Sequence, residues 1–470
     1  MKSNFTLTYG VRYESPGNPI ENLATLNEPI VATAGGDERY RLKPVPKRDN
    51  NNWAPRFGFN YRFGQGPGPL GALTGNGKLV MRGGYSRTYD FAFINIALNV
   101  GSAFPFLNSA SLPARTPNSY VLLPRLVANP VIPDPNALVR TIVGEDFRAP
   151  YAEQFSFQLQ REVARDWGVT IGWVGTKGTA LYQTVDGNPT VPGSSPVRRV
   201  DPTIGIRRLR ANTANSIYHS LQSSVEKRFT SGFQLGVHYT WSAFIDLASE
   251  IFNPAVNGDV AVSQDSYNRR GDRGRSTYDR PHRISATYVW ELPMMREQRG
   301  AAGKILGGWQ INGFLTFQAG AQFTPLAGTD PGLRLSGIDG LVGNAIRANV
   351  NTNMDLARMN IADIYSYSLP AAVLGSRNSL FSNVTAQSPL GNAGRNILRA
   401  DGIGNFDFAA FKNTRLAEGH NLQFRAEFFN LTNTRNFGIP ESRINSAAFL
   451  NQWATDGGNR RITLGLRWVF

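Results

Sequence analysis

The feature that most constrains this chain is a regular alternation of apolar and polar residues over its last ten positions. One face of a strand would carry Ile462, Leu464, Leu466, Trp468 and Phe470. The other face would carry Arg461, Thr463, Gly465, Arg467 and Val469, of which only Val469 breaks the pattern. A strand with one apolar and one polar face is typical of a membrane β-barrel, whose outer face contacts lipid and whose inner face lines a polar lumen.

The same alternation recurs along the chain in segments of roughly ten residues, the length that a tilted strand needs to cross the hydrocarbon layer. Together with the last segment it predicts about twelve strands. The apolar faces of the others lie near residues 5–13, 57–63, 79–85, 155–159, 169–173, 221–229, 233–241, 284–292, 309–317, 406–408 and 422–428.

The connections between these segments alternate in length. The short ones lie near 64–77, 164–166, 230–232, 293–305 and 416–420, and the long ones cover roughly 14–52, 88–150, 176–215, 245–280, 321–404 and 432–459. With the C-terminus in the periplasm, every long connection falls outside the cell. The sequence therefore predicts an all-β, antiparallel transmembrane barrel of the outer membrane with long extracellular loops.

Composition supports strands rather than membrane helices. The chain has 48 Gly, 28 Pro and 28 Phe, and its mean hydropathy of −0.28 is too polar for a helical bundle. The only long uncharged stretch, 91–114, is interrupted by Asn and Pro, so we predict that it belongs to a loop. The absence of cysteine excludes disulfides and thiolate metal sites. The net charge of +15 comes from scattered residues, which argues against a nucleic-acid partner.

A soluble β-sandwich or propeller is the plain alternative, since its strands also alternate. Two observations disfavour it. The predicted strands are about ten residues long, whereas strands of soluble proteins usually have about five or six, and connections of roughly forty to eighty residues are rare in compact soluble domains.

Several short stretches, spread in order over nearly the whole chain, resemble the barrel of TonB-dependent outer-membrane receptors, specifically the Oar-like group. They are NWAPRFGF at 52–59, MRGGY at 81–85, WVGTKG at 173–178, DRPHR at 279–283, GGWQING at 307–313 and RAEFFNLTN at 425–433. The resemblance implies a barrel of about twenty-two strands, an N-terminal plug and a segment that the TonB partner contacts.

Residues 1–470 would then form the C-terminal half of such a barrel, with no plug domain. No signal peptide is recognisable, because Met1-Lys2-Ser3 leads directly into the alternation that starts at Phe5. We therefore expect contact with TonB only through a missing N-terminal part. Half a barrel has two unpaired edges, which lipid does not tolerate, so we expect either a smaller closed barrel or, preferably, an incomplete one.

Three functions are compatible with these patterns. The first is a receptor or transporter that binds an unknown extracellular solute through its outer loops and, in the full-length protein, takes it up by TonB-coupled transport. The second is a structural or adhesive surface barrel without transport, with loops 88–150 and 321–404 as the binding surface. The third is a secreted, soluble, carbohydrate-binding β protein.

Two groups of arginines are candidates for binding anions. Inward-facing arginines would make the lumen basic; they are Arg12, Arg56, Arg62, Arg82, Arg283, Arg425 and Arg467. A loop cluster could contact an anionic ligand or lipopolysaccharide phosphates through bidentate guanidinium contacts; it is formed by Arg269, Arg270, Arg273 and Arg275. The alternative for the lumen arginines is that they pair with lumen acids, the plug or water. The alternative for the loop arginines is a solvated loop whose charges pair with each other.

Catalysis has little support in the sequence. The four histidines are His219, His238, His282 and His420, and the first two lack a nearby carboxylate. No nucleophile elbow, phosphate loop or zinc-protease helix motif is present. We therefore expect neither an enzyme nor a metal or organic cofactor.

The terminal aromatic residues lead to a first prediction. Trp468 and Phe470 on an alternating last strand resemble the signal read by the outer-membrane barrel-assembly machinery. Deleting Phe470 should therefore impair insertion into the outer membrane, measured on pulse-labelled protein in a membrane-assembly assay. Insertion at the unaltered rate would contradict this role.

Overall fold

The structure, a computed structural model, describes most of the chain. The residues outside the description are 1–3, 16–19, 21, 24–26, 29–30, 33, 67, 91–93, 109–111, 113–114, 129–131, 252–261, 336–337, 339–344, 369–379 and 453–457. The predicted absence of a signal peptide at Met1-Lys2-Ser3 and parts of the predicted loops therefore lie outside the described residues.

Twelve long strands form one antiparallel sheet in which each strand pairs with the next along the chain. This confirms the predicted number and the fold class. The strands are β1 (Phe5–Glu14), β2 (Asn52–Arg62), β3 (Leu79–Tyr89), β4 (Tyr151–Ala164), β5 (Trp167–Asp186), β6 (Arg207–Thr230), β7 (Phe233–Asp246), β8 (His282–Glu291), β9 (Trp309–Gln318), β10 (Ile403–Ala417), β11 (His420–Phe429) and β12 (Arg461–Val469).

Shorter elements occur in the connections. Strand Arg140–Val143 joins β6 in parallel and Gly274–Arg275 joins β7, while Gln322–Phe323 pairs with Leu398–Arg399 and Asn349–Val350 with Phe381–Ser382. The α-helices are Gly68–Thr74, Ile94–Gly101, Ser119–Ala128, Gly300–Leu306 and Ile361–Ser368, and the 3-10 helices are Glu38–Tyr40, Arg269–Asp272 and Leu356–Arg358. Within the described part of the chain, no helix is long and apolar enough to span a membrane.

The strand register places the predicted apolar residues of the paired strands on one face of the sheet. Directly opposed residues on neighbouring strands point to the same side. One such row crosses seven strands and consists of Leu7, Phe59, Gly83, Phe157, Trp173, Leu221 and Trp241. Many apolar side chains on this face are exposed, and Leu466, for example, is 70% exposed. Such exposure is expected of a surface that contacts lipid.

Glycines within the apolar face make room for large neighbours. A Cβ atom at Gly83 would collide with the ring of Phe59, and one at Gly313 would collide with the ring of Tyr288. Gly83 pairs with Phe59 and Gly313 with Tyr288 across adjacent strands. Each aromatic ring therefore lies over the glycine of the neighbouring strand and supplies the apolar surface that the glycine lacks.

Lys412 is an exception on the apolar face, where it pairs with Trp309 and Phe424. Its Nζ donates to the carbonyl of Gly307 and lies 6.0 Å from the centre of the Trp309 ring. The apolar stem thus stays among aromatic neighbours while the charge reaches the backbone beyond the strand, as expected at a membrane boundary. This position marks the periplasmic edge of the apolar face.

The predicted connection 176–215 is wrong in extent. Strand β5 continues to Asp186 and β6 begins at Arg207, so only residues 187–206 connect them. The two extensions pair with each other, with Gln183 opposite Ala211 and Asp186 opposite Arg208. A strand of 24 residues rises roughly 80 Å along its length. Because that exceeds the thickness of a bilayer, β6 projects into the extracellular space.

The buried apolar core lies in the long connections rather than in the sheet. Helix Ile94–Gly101 packs Ile96 and Val100 against Ile20, Leu42 and Val143. A second cluster gathers Phe323, Leu356, Ile361, Ile364, Phe381 and Leu398. The connections that the sequence presents as open loops therefore form a packed cap, defined here as the described parts of connections 15–51, 90–150, 247–281, 319–402 and 430–460.

The sheet is open in this structure. Strand β1 pairs with β2 and strand β12 with β11, and within the described residues the two edge strands do not pair with each other. Closure as a small barrel, the less favoured of the two alternatives, is therefore not observed.

The two faces of the sheet predict opposite responses to a charge. Val237 lies on the apolar face of β7, in the part of the strand that is nearest the short turn. It is flanked by Val225 on β6 and Ala286 on β8. Val237→Arg should destabilise the protein in lipid by about 2–4 kcal/mol, because the guanidinium would lie in hydrocarbon.

The neighbouring His238 faces Ser224 and Ser285 on the polar side, so His238→Arg is the matched control and should change the free energy of unfolding little. Denaturant unfolding in vesicles measures both variants. Equal losses of unfolding free energy in the two variants would contradict the assignment of one face to lipid and the other to the lumen.

Candidate functional site

The polar face of the sheet carries the predicted lumen arginines in three groups. One row across the face contains Asn60, Arg82, Gln158, Gly172, Gln222, Thr240, Arg283 and Gln318. Arg12, Arg56, Arg62 and Arg82 lie on β1, β2 and β3, Arg283 lies alone on β8, and Arg425 and Arg467 lie on β11 and β12. Arg12 pairs with Glu14 of the same strand at 2.5 Å. The placement of these side chains is therefore known, while their role in binding remains a prediction.

One arginine of the first group, Arg56, borders a shallow groove. Arg62 Nε donates to the carbonyl of Gly77 at 2.9 Å, which fixes this guanidinium at the short-connection end. The Arg56 side chain lies against Gly10, and a groove of about 350 Å³ runs past it between Ser86 and Thr176. The cation at Arg56 thus borders polar hydroxyl groups that a passing solute can contact.

The third group, Arg425 and Arg467, is part of a larger basic cavity at the periplasmic end of the polar face. Four arginines line this cavity of about 540 Å³, and Glu291 is the only acid among its lining residues. We define Arg296, Arg415, Arg425 and Arg467 as the arginine cluster. Two of them, Arg296 and Arg415, were missed by the sequence analysis.

Local contacts hold the arginine cluster in place. Arg296 Nη2 donates to the carbonyls of Ser231 at 3.2 Å and Glu291 at 3.3 Å. Arg425 Nε donates to Gln423 Oε1, and its guanidinium lies 5.1 Å from the centre of the Phe411 ring. Because the anchors are mostly neutral, the positive charge is not cancelled. The cavity can therefore attract an anion and offer it several N–H donors.

Arg415 could have been found from the sequence. It continues the polar alternation of β10 through Asn413 and directly precedes the predicted short connection 416–420, but only Phe406 and Phe408 of this strand were named. Arg296 lies in a turn, for which period-two alternation gives no signal.

The predicted loop arginines do not converge on one site. Arg269, Arg270, Arg273 and Arg275 are exposed. Arg273 Nη1 is 3.5 Å from Asn215 Oδ1, and Arg275 Nη1 is 3.5 Å from Asp279 Oδ2. Their proposed contact with an anion or lipopolysaccharide stays a prediction.

The acid between these arginines, Asp272, is buried in a network that joins two long connections. Arg347 Nη1 donates to Asp272 Oδ1 at 2.9 Å, and Ser263 also donates to this carboxylate. Arg395 Nε donates to the Asp272 carbonyl at 2.7 Å, while its Nη2 pairs with Asp246 at the end of β7. We define Asp246, Asp272, Arg347 and Arg395 as the cap ion network.

Burial shapes the electrostatics of this network. Desolvation raises the pKa of Asp272, although Arg347 and Ser263 act in the opposite direction, and desolvation also lowers the pKa of Arg347. The partner charge reduces each burial cost, since two carboxylates face two guanidinium groups. The network therefore depends on all four members being present.

Removing one member should open the cap locally. Asp272→Asn would leave the Arg347 guanidinium buried without its carboxylate, a change that costs about 3–5 kcal/mol. Amide hydrogen exchange around Arg347 and Ala348 should accelerate accordingly.

The control is Asp355→Asn, because Asp355 forms a 3.0 Å surface pair with Arg358 and such pairs contribute about 0–1 kcal/mol. Unchanged exchange in Asp272→Asn would show that the network does not hold the cap.

No catalytic or metal site emerges in the part of the chain that the structure describes. Among these residues no group of three or more His, Asp or Glu side chains could hold a metal ion. His219 stacks on Trp173 on the apolar face, whereas His238 lies on the polar face, so the two do not share a site.

Solved structures of outer-membrane proteins resemble the chain. The outer membrane transporter YddB from Escherichia coli matches with 10% identity and a TM-score of 0.44 over 90% of this chain and 41% of that one. The ferripyoverdine receptor of Pseudomonas aeruginosa matches with 10% identity and a TM-score of 0.39 over 90% of this chain and 34% of that one. The ferric-catecholate import receptor Fiu from Escherichia coli K12 matches with 9% identity and a TM-score of 0.41 over 100% of this chain and 43% of that one. The chain thus spans between 34% and 43% of each structure's length. No curated protein sequence matches it.

A family model settles the class of the protein. The model described as outer membrane beta barrel domain matches residues 1–463. An outer-membrane family is incompatible with the hypothesis of a secreted soluble protein. Because the match covers nearly the whole chain and agrees with the two-faced sheet, the protein belongs to the outer membrane beta barrel domain family and resides in the outer membrane.

Proposed function

We propose that this chain is the receptor barrel of an uptake system for an anionic solute, which enters through the cap and leaves past the arginine cluster. The arginine cluster carries the proposal, because four guanidinium groups and one carboxylate line the cavity at the periplasmic end of the polar face. A cavity with one sign of charge raises the local concentration of the opposite ion and increases association rates by about 10- to 1000-fold.

The arrangement of the charges supports a path rather than a single tight site. Arg56, Arg62 and Arg82 lie on β2 and β3, Arg283 lies on β8, and the cluster follows on β8–β12. Solutes pass along such a face when successive contacts are weak enough to release them. The packed cap covers the extracellular end and supplies the surface on which recognition would occur.

The remaining assignments belong to the same proposal. The protein is an Oar-like, TonB-dependent receptor in which residues 1–470 form the C-terminal half of a barrel of about twenty-two strands. TonB acts on it through an N-terminal part outside these residues. Trp468 and Phe470 contact the barrel-assembly machinery, and Arg269, Arg270, Arg273 and Arg275 contact lipopolysaccharide phosphates.

Ion selectivity tests the role of the arginine cluster. The protein reconstituted in planar bilayers under a KCl gradient should prefer chloride over potassium, because the lining of the cavity is cationic. The double variant Arg425→Gln/Arg467→Gln should lower this preference by at least about twofold.

Arg299→Gln is the matched control, since Arg299 is an exposed arginine in the same turn region and pairs with Glu297 at 2.8 Å. Cation preference in the unaltered protein, or equal effects of the double variant and the control, would refute the proposal.

An adhesive role is the second candidate, and one observation favours it. Helix Ser119–Ala128 in connection 90–150 exposes a cluster of apolar side chains, with Tyr120 at 78% and Val121, Leu122 and Leu123 at about 40%. Exposed apolar patches of this kind mark surfaces that bind partners. Replacing Tyr120, Val121 and Leu122 by serine would abolish cell-surface attachment and leave ion selectivity unchanged if adhesion were the function.

A further inference from the structure

Two buried arginines lie side by side in the cap. Arg140, in the short strand Arg140–Val143, is directly opposite Arg207 at the start of β6, in a parallel pair. Neighbouring strands are about 4.7–4.9 Å apart, so the two side chains leave the backbone close together. Arg140 is 1% exposed and Arg207 is 5% exposed. Water therefore does not solvate these two charges.

Backbone carbonyls hold one end of each guanidinium. Arg140 Nη1 donates to the carbonyl of Tyr40, and Arg207 Nη1 donates to the carbonyls of Leu138 at 3.0 Å and Ile206 at 3.1 Å. The nitrogens left over are Arg140 Nε, Arg140 Nη2 and Arg207 Nη2, which are buried and lack a hydrogen-bond partner. Nε and Nη2 form the guanidinium edge that grips two oxygens of one anion.

Nearby carboxylates are engaged elsewhere. Asp186 pairs with Arg199 at 2.5 Å, and Asp201 Oδ1 accepts from the Thr203 hydroxyl at 2.6 Å. Burial, reinforced by the charge of Arg207, lowers the pKa of Arg140 to about 10, so this guanidinium is still charged at neutral pH. Within the described residues neither guanidinium forms a salt bridge, and the more distant charges of Asp201 and Asp186 offset only part of the desolvation of Arg207. The two buried positive charges therefore require compensation from another anion.

We propose that Arg140 and Arg207 form a binding site for one small oxyanion of the phosphate or sulfate class. Arg140 presents two N–H donors from one edge and Arg207 presents a third, a donor set that suits a tetrahedral anion. The enclosure restricts the occupant to a small free ion rather than a lipid headgroup. The bound ion joins connection 15–51 through Tyr40, connection 90–150 through Arg140 and the extracellular end of β6 through Arg207, so it stabilises the cap.

Equilibrium dialysis of the full chain in detergent tests the site, with radiolabelled phosphate and sulfate as probes at constant ionic strength. We expect saturable binding of one ion per chain, at least tenfold weaker binding in Arg140→Gln, and weaker binding in Arg207→Lys, which keeps the charge but loses the planar donor edge. Arg165→Gln is the matched control, because Arg165 is 97% exposed in the turn between β4 and β5.

Hydrogen exchange supplies a second readout that does not require Arg140→Gln to fold. Phosphate, but not chloride at equal ionic strength, should slow exchange in the unaltered protein at Tyr40–Leu42 and Arg140–Val143. Binding of lipopolysaccharide in place of free phosphate, absence of saturable binding, or equal binding in Arg140→Gln would each overturn the proposal.

Discussion

The structure depends on one constraint, which is that backbone N–H and C=O groups in lipid must find partners within the protein. Twelve strands satisfy it by pairing in chain order, so that among the described residues of this sheet only β1 and β12 keep an unpaired edge. The same pairing fixes the faces, because opposed residues share a side. Leu7, Phe157 and Trp173 therefore form one continuous row although they are far apart in sequence. Hydrogen bonding therefore aligns the strands, and the period-two alternation of the sequence makes one of the resulting faces apolar and the other polar.

A second principle operates beyond the membrane. The apolar side chains of the sheet face outward, so they do not form a conventional interior core, and the buried core is supplied by the long connections instead. Strands β5 and β6 extend into this region and carry residues such as Arg207 into it. The cap is therefore a folded layer continuous with the sheet, with its own apolar clusters and buried ion pairs.

Charge is treated differently in the two regions. On the polar face the arginines of the arginine cluster rest on neutral partners, which leaves a positive field available to solutes. In the cap, Asp246 and Asp272 are matched by Arg395 and Arg347, and that matching stabilises the arrangement of the connections. Arg140 and Arg207 depart from this rule in the cap, which is why they stand out as a site for an added anion.

The sequence by itself determined the strands and their faces, because period-two alternation depends only on local backbone geometry. The last strand at residues 461–469, the twelve-strand count and the outward face of the aromatic residues could all be predicted this way. Tertiary structure decided the rest. Arg296 and Arg415 join Arg425 and Arg467 only when the turn after β8 comes close to β10, β11 and β12. Asp272 meets Arg347 only when two distant connections fold together. Such contacts depend on the packing of distant segments, which no local pattern records.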